Sequence, residues 1–209
     1  MKKVLVCSNC QAESPFFEQN CKNCNAFLRS KIANIDLWST LWSILESPVK
    51  TAETIIQSDH KNFTVSILFF AAFKIGLSLL LISNAFELLG EEVNSAFNFV
   101  IIGGISFSVI LFICALIITP INSWLGITNR IKDNISIYTY SFLPIVLTLL
   151  FLAPIEIAIF GTYWFTFNPS PLIFKPFVSY ILFFIEGLFF IWSLMQESIL
   201  LVGLGITLR

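Results

Sequence analysis

Long apolar runs separated by short polar stretches fill the chain from residue 64 onward. Each run approaches the roughly 20 apolar residues that a helix needs to cross a bilayer. The pattern predicts four membrane-spanning helices, at about residues 64–83, 97–119, 138–160 and 176–195. Pro120 is expected to end the second span. Residues 198–208 are apolar but too short to cross unaided, and we expect an interfacial or re-entrant tail, or an extension of the fourth helix.

Residues 30–58 have apolar side chains at helical spacing, with polar side chains on the opposite face. Trp38 and Trp42 belong to the apolar face, as in a helix that lies at the level of the lipid headgroups. A plain amphipathic helix packed against the bundle fits this pattern equally well. Ser47 and Pro48 predict a boundary between two helices, with Ser47 as N-cap and Pro48 at the first helical position.

The composition supports a membrane protein. The chain has 209 residues, of which 56% are hydrophobic and 12% are charged, whereas soluble domains carry roughly a quarter charged residues. The predicted fold class is therefore an all-α polytopic membrane helical bundle, which occupies residues 59–209 and has the lipid bilayer as its first partner. The net charge of −1 creates no field that would attract nucleic acid, and no nucleic-acid partner is expected.

Two Cys-x-x-Cys pairs lie in residues 1–28, the first at Cys7 and Cys10 and the second at Cys21 and Cys24. Two such turns complete the four-cysteine tetrahedral site that structural zinc prefers. A module this small would take its folding energy from the metal. Four thiolates leave no open position for catalysis, so the zinc is predicted to be structural. Two disulfides or a redox dithiol remain as alternatives.

The cysteine module resembles the short zinc ribbons found at the N-termini of many bacterial membrane proteins. That pattern usually has glycine after the second cysteine of each turn, where this chain has Gln11 and Asn25. Asn adopts the left-handed conformation more readily than Gln does. A slight distortion of the first cysteine turn is therefore one expectation.

Three ionisable residues lie within the predicted spans: Lys74, Glu156 and Glu186. A charge at the bilayer centre costs about 2.5–3.5 kcal/mol on insertion scales, so such residues usually face the bundle interior and pair. Lys74 and Glu186 have matched depth and could form a buried ion pair. The cluster is interpreted either as a structural pair or as part of a polar pathway.

Gly103 and Gly104 predict a close approach between helices.

Lys and Arg residues predict the orientation. They are concentrated in the N-terminal region and in residues 121–137, which are expected to form a loop, and they are absent from the loop at 84–96. By the positive-inside rule, the N-terminus is predicted to be cytoplasmic.

Three short patterns resemble the Yip family of membrane proteins, named for their interaction with Ypt/Rab GTPases. These are Asp36-Leu37-Trp38, the run Ile44–Pro48, and a third pattern at the start of the third span. The third pattern consists of Tyr138, Thr139, Tyr140, Ser141 and Pro144.

The resemblance covers roughly residues 32–209. Thr139 replaces the family's usual small residue, and the family normally has five spans. The resemblance implies partner binding or membrane organisation. A ribbon fused to such a bundle points to a prokaryotic member in the bacterial inner membrane, where no Rab is expected.

No catalytic constellation is recognisable in the sequence: neither a Ser/His/Asp set nor a glycine-rich phosphate loop is present. We therefore predict a protein that is not an enzyme. The favoured hypothesis is an integral membrane scaffold or adaptor whose ribbon contacts a protein partner. The alternative is a small transporter or channel that uses Lys74, Glu186 and Glu156 and functions as a homo-oligomer, because four spans are few for a transporter.

Overall fold

Helices account for most of the chain in the computed structural model, which describes residues 4–15, 17–29, 32–86, 96–124, 130–165 and 171–208. The strands are β1 (Val4–Val6), β2 (Glu13–Pro15), β3 (Ile32–Asn34) and β4 (Ser58–His60). The helices are α1 (Leu37–Glu46), α2 (Pro48–Gln57), α3 (Thr64–Phe86), α4 (Ala96–Trp124), α5 (Ile131–Ser141), α6 (Leu143–Phe160), α7 (Pro171–Phe174) and α8 (Pro176–Leu208), with a 3₁₀ turn at Gly161–Phe165.

Four stretches of the described chain are long and apolar enough to cross a membrane, as predicted. They are Thr64–Ile82, Phe97–Trp124, Ile131–Phe160 and Pro176–Leu201. The chain divides into two compact units. Unit 1 contains Met1–Val65, Phe112–Ser141 and Gln196–Arg209, and unit 2 contains Ser66–Leu111 and Phe142–Met195.

Pro120 does not end the second span, contrary to the prediction. Helix α4 continues through it to Trp124. The Thr119 hydroxyl donates a hydrogen bond to the Ala115 carbonyl at 2.8 Å. Pro120 has no N–H to donate to the Leu116 carbonyl, and membrane-spanning helices tolerate proline more readily than soluble helices do.

The third span begins earlier than the predicted residue 138. Helix α5 starts at Ile131, so much of the region expected to be a loop at 121–137 is helical. α5 ends at Ser141 and α6 begins at Leu143. The break lies just before Pro144, whose ring cannot continue the hydrogen-bond ladder of the preceding turn. Polar residues in α5 conceal this helix from a search for apolar runs.

Residues 198–208 continue the fourth span rather than forming a separate tail. Helix α8 is uninterrupted from Pro176 to Leu208. Of the three arrangements expected for this stretch, the structure has the extension of the fourth helix.

The boundary at Ser47 and Pro48 is where the sequence predicts it. However, the Ser47 side chain makes no capping hydrogen bond. The backbone carbonyl of Ser47 accepts hydrogen bonds from the N–H and the hydroxyl of Thr51, at 3.1 and 3.2 Å. Trp38 and Trp42 on α1 are 78% and 66% exposed.

Helices α3 and α4 approach each other closely through glycine. A Cβ atom built on Gly76 would lie 2.3 Å from the Val100 carbonyl oxygen, and one on Gly104 would lie 2.9 Å from the Ala72 carbonyl oxygen. Gly103 faces Gly76 in the same contact. The predicted close approach at Gly103 and Gly104 is therefore present, and Gly76 is its unpredicted counterpart.

Gly76→Ala is expected to destabilise the bundle by about 1–3 kcal/mol, since the added methyl group meets backbone that cannot move aside. Gly187→Ala is the matched control, because a Cβ there has no neighbour within 4 Å and alanine favours the helix. Thermal unfolding in detergent measures both variants. Equal stability of the two would contradict the glycine contact.

Candidate metal centre and intramembrane cluster

The two cysteine turns have the same backbone geometry. In the first, the Gln11 N–H donates to the Cys7 carbonyl at 3.0 Å, and in the second the Asn25 N–H donates to the Cys21 carbonyl at 2.9 Å. Gln11 and Asn25 both have φ = 57°. The first turn is therefore not distorted relative to the second, because Gln11 adopts the left-handed conformation that the turn requires.

The two turns bring all four predicted ligands together. β1 pairs antiparallel with β2 across the first turn, and an isolated bridge joins Asn20 to Phe27 across the second. The Sγ atoms of Cys7, Cys10, Cys21 and Cys24 lie within 4.8 Å of one another. Cys7 and Cys21 are buried, and the other two are half-buried. Four cysteines this close together could hold a metal ion.

The donor set fits a tetrahedral ion. Sulfur atoms about 2.3 Å from such an ion lie about 3.8 Å from one another. The Sγ atoms of Cys7 and Cys24 are 3.5 Å apart, as are those of Cys10 and Cys21. Thiolate ligands are required for binding. The backbone N–H groups of Cys24 and Asn23 lower the pKa of Cys21 to about 6, and those of Cys10 and Asn9 lower the pKa of Cys7.

Arginine side chains fasten the ribbon to the rest of unit 1. Arg29 donates to the Phe17 carbonyl at 2.7 Å and to the Gln57 carbonyl, at the end of α2, at 2.9 Å. The Arg130 guanidinium lies 4.4 Å from the centre of the Phe17 ring. Gln19 donates a hydrogen bond to the Asp59 carboxylate. The ribbon is therefore held on α2, β4 and the start of α5.

A buried ionic cluster supports this contact. Asp133 accepts hydrogen bonds from Arg130 Nε at 2.8 Å and Nη2 at 3.0 Å, and it lies 3.1 Å from Lys61 Nζ. Lys61 also donates to the Ser58 carbonyl at 3.1 Å and to the Ile55 carbonyl, and Arg130 donates to the Ile56 carbonyl at 2.8 Å. Both cations thus cap the C-terminal end of α2, which favours positive charge.

Sequence reasoning missed this ionic cluster. In the sequence, the Lys and Arg residues of these regions indicate only the orientation, and nothing marks Asp133 as their partner. Basic residues that follow the end of a predicted helix were the available signal.

The three ionisable residues of the spans form one cluster in unit 2. Lys74 Nζ donates to Glu186 Oε1 and lies 3.6 Å from Glu156 Oε2. The side chains of Lys74, Glu156 and Glu186 are 2%, 1% and 10% exposed. The anticipated Lys74–Glu186 pair is present, and Glu156 joins it although the sequence placed that residue nearer the end of its span.

Trp164 is an unexpected member of this cluster. Its Nε1–H donates to Glu156 Oε2 at 3.0 Å, and its ring stacks on Phe160 and Phe183 with centroid distances of 4.6 and 5.5 Å. The sequence places Trp164 in an aromatic belt at the membrane interface, but its side chain is fully buried. A buried indole needs an acceptor for its N–H, and Glu156 supplies one.

The residues of the third family-like pattern lie at the break between α5 and α6. Tyr138, Tyr140 and Ser141 are buried at the end of α5, and Pro144 lies in the first turn of α6. The Ser141 hydroxyl donates to the Tyr138 carbonyl at 2.6 Å. These residues shape the break, and none of them contacts either candidate site through a hydrogen bond described here.

The fold and the sites define a helical chain with four candidate membrane spans and an N-terminal four-cysteine cluster. Comparison with protein-family models, with curated proteins and with solved structures finds no match for this chain.

Proposed function

We propose that the chain is a non-enzymatic membrane scaffold whose N-terminal ribbon binds structural zinc and contacts a protein partner on the cytoplasmic side. The observation that carries this proposal is the attachment of the four-cysteine module to α2 and α5. Arg29 joins the module to α2, and Arg130, which directly precedes the third span, contacts both the module and α2. A partner bound to the ribbon would therefore be coupled to the membrane bundle.

Zinc is proposed because four thiolates at tetrahedral spacing are its structural ligand set. Its role would be to close the two turns, and the residues that would hold it are the four cysteines. Bound zinc would also protect the thiolates from oxidation to disulfides. The resemblance of the chain to the Yip family also supports a role in organising membranes.

A polar groove beside the second cysteine turn is the proposed contact surface. The groove is lined by polar and charged residues that include Lys22, Asn23, Asn25, Asp59 and Arg130. The Lys22 side chain is well exposed, and its Nζ lies 3.1 Å from Glu18. Mixed charges in an open groove favour a polar protein segment over a lipid tail.

Crosslinking in intact membranes followed by affinity purification tests the scaffold. Wild type is compared with Cys21→Ser and with the matched control Cys114→Ser, whose cysteine lies in α4 outside the metal cluster. The proposal predicts zinc and one stoichiometric partner in wild type and in Cys114→Ser, and neither in Cys21→Ser. Recovery of the same partner with Cys21→Ser would contradict the proposal.

The second candidate function, an oligomeric transporter or channel, is favoured by one observation, the buried cluster of Lys74, Glu156 and Glu186. In the crosslinking experiment it predicts zinc in the wild type with only self-crosslinks.

A further inference from the structure

The intramembrane cluster would carry a net negative charge if all three of its groups were ionised. Lys74 supplies one positive charge, whereas Glu156 and Glu186 supply two negative charges when both are ionised. Lys74 and Glu156 are buried among the helices of unit 2, and the Glu186 side chain is 10% exposed. One ion pair can cancel within the cluster, but the second carboxylate then has no counter-charge of its own, and an uncompensated buried charge is strongly unfavourable.

The hydrogen bonds distinguish the two carboxyl groups. Glu186 accepts from Lys74 through Oε1 and from the Ser78 hydroxyl, at 3.3 Å, through Oε2. Both of its oxygens are therefore satisfied by donors. This is the arrangement that an ionised carboxylate requires.

Glu156 is satisfied on one side only. Its Oε2 accepts from Trp164 and faces Lys74 at the longer distance of 3.6 Å. Its Oε1 is buried and has no hydrogen-bond partner in the described part of the chain. A neutral carboxyl group loses much less than a carboxylate by burying one unpaired oxygen.

We propose that Glu156 is a proton-binding site, which holds an exchangeable proton at Oε1 while Glu186 neutralises Lys74. Release of the proton leaves two carboxylates that share one ammonium group, and rebinding restores a cluster without net charge. In the described part of the chain, the titratable groups that face Glu156 are Lys74 from α3 and Glu186 from α8, and α6 has no other titratable residue. This inference does not depend on the zinc ribbon or on a partner.

Glu156→Gln is the decisive variant, because the amide keeps the size of the side chain and an acceptor for Trp164 but cannot take up a proton. Infrared difference spectra of the full-length protein in lipid nanodiscs detect the C=O stretch of protonated carboxyl groups at neutral pH. We expect the wild-type spectrum to contain a band from one protonated carboxyl group per chain, and we expect this band to be absent from the spectrum of Glu156→Gln. Glu46→Gln, at an exposed position on α1, is the matched control and should leave the spectrum unchanged.

Two further variants test the charge balance and keep the proposal open to refutation if Glu156→Gln fails to fold. In Glu186→Gln, Lys74 has only Glu156 to neutralise it, so Glu156 ionises and the band disappears. In Lys74→Met both carboxyl groups are protonated, and the band doubles. A wild-type spectrum in which neither Glu156→Gln nor Glu186→Gln removes a protonated carboxyl band would overturn the proposal. Trp164→Phe distinguishes the two carboxyl groups, because Trp164 donates a hydrogen bond to Glu156. The proposal predicts a shift of the band in this variant, and a band that stays in place would assign the proton to Glu186 and would also overturn the proposal.

Discussion

Cys21→Ser is expected to release the metal and to unfold the ribbon while the four spans remain folded. Cys21 is a buried member of the four-cysteine cluster, and three remaining thiols would bind a tetrahedral metal far more weakly than four. Structural zinc contributes about 10–16 kcal/mol of apparent binding free energy in zinc-finger peptides. The short strands β1 and β2 cannot replace that contribution through apolar burial.

Metal analysis of the purified protein and hydrogen exchange of the ribbon amides measure this effect. Cys21→Ser should contain no metal, and its amides in residues 4–15 should exchange at the rate of an unfolded chain. Cys114→Ser should keep both the metal and the protection of wild type. Slow exchange of the ribbon in a metal-free Cys21→Ser protein would show that the module folds without metal.

Asp133→Asn is expected to destabilise unit 1 by about 3–5 kcal/mol, the usual result of removing one partner from a buried ion pair. Asp133 has no exposed surface, and its carboxylate is the shared acceptor of Lys61 and Arg130. The amide would leave both cations without their anion and would turn one acceptor into a donor. Chemical unfolding in detergent, followed by hydrogen exchange of α2 and α5, measures the loss.

Asp36→Asn is the matched control for this substitution. Asp36 is exposed and caps α1 by accepting from the Trp38 N–H at 3.3 Å. Asn is as good an N-cap as Asp, so the expected change is small. A loss in Asp133→Asn no larger than that in Asp36→Asn would show that the ionic cluster does not hold α2 and α5 together.

The same cluster predicts a pH dependence. Burial lowers the pKa of Lys61 to about 8, and Asp133 opposes the change. The unfolded value is about 10.4, so the unfolded state binds more protons between these two values. Stability of unit 1 therefore rises with pH across that window. Asp133→Asn removes the group that favours the charged lysine, and the rise should begin at a lower pH.

Hydropathy predicted the four spans because apolar side chains determine which segments can leave water. Hydropathy did not predict features that depend on contacts with a distant part of the chain. The start of α5 contains Asp133, whose charge is compensated by Lys61 from another part of the chain. No window along the sequence contains both partners.

The candidate sites show the same contrast. The two Cys-x-x-Cys pairs were sufficient to predict that the four cysteines lie close together, since short turns fix the position of each pair. Lys74 and Glu186 could be paired by depth alone. Trp164 could not be predicted as a member of the cluster, because its position in an aromatic stretch after the third span indicated an interfacial residue. In the structure, stacking on Phe160 and Phe183 buries it. The close contact at Gly76 was not predicted, because the sequence does not show which residue of α4 lies opposite it. In the structure that residue is Val100.

Site-specific photo-crosslinking from the ribbon tests the scaffold most directly. A photo-reactive residue is placed at Lys22 in the polar groove and, as a control, at exposed Lys50 on α2, and the protein is irradiated in intact membranes with and without a zinc chelator. Our account predicts one protein partner crosslinked from position 22, lost when zinc is removed, and none from position 50. Zinc-loaded protein that yields only self-crosslinks or lipid adducts from position 22 would contradict it.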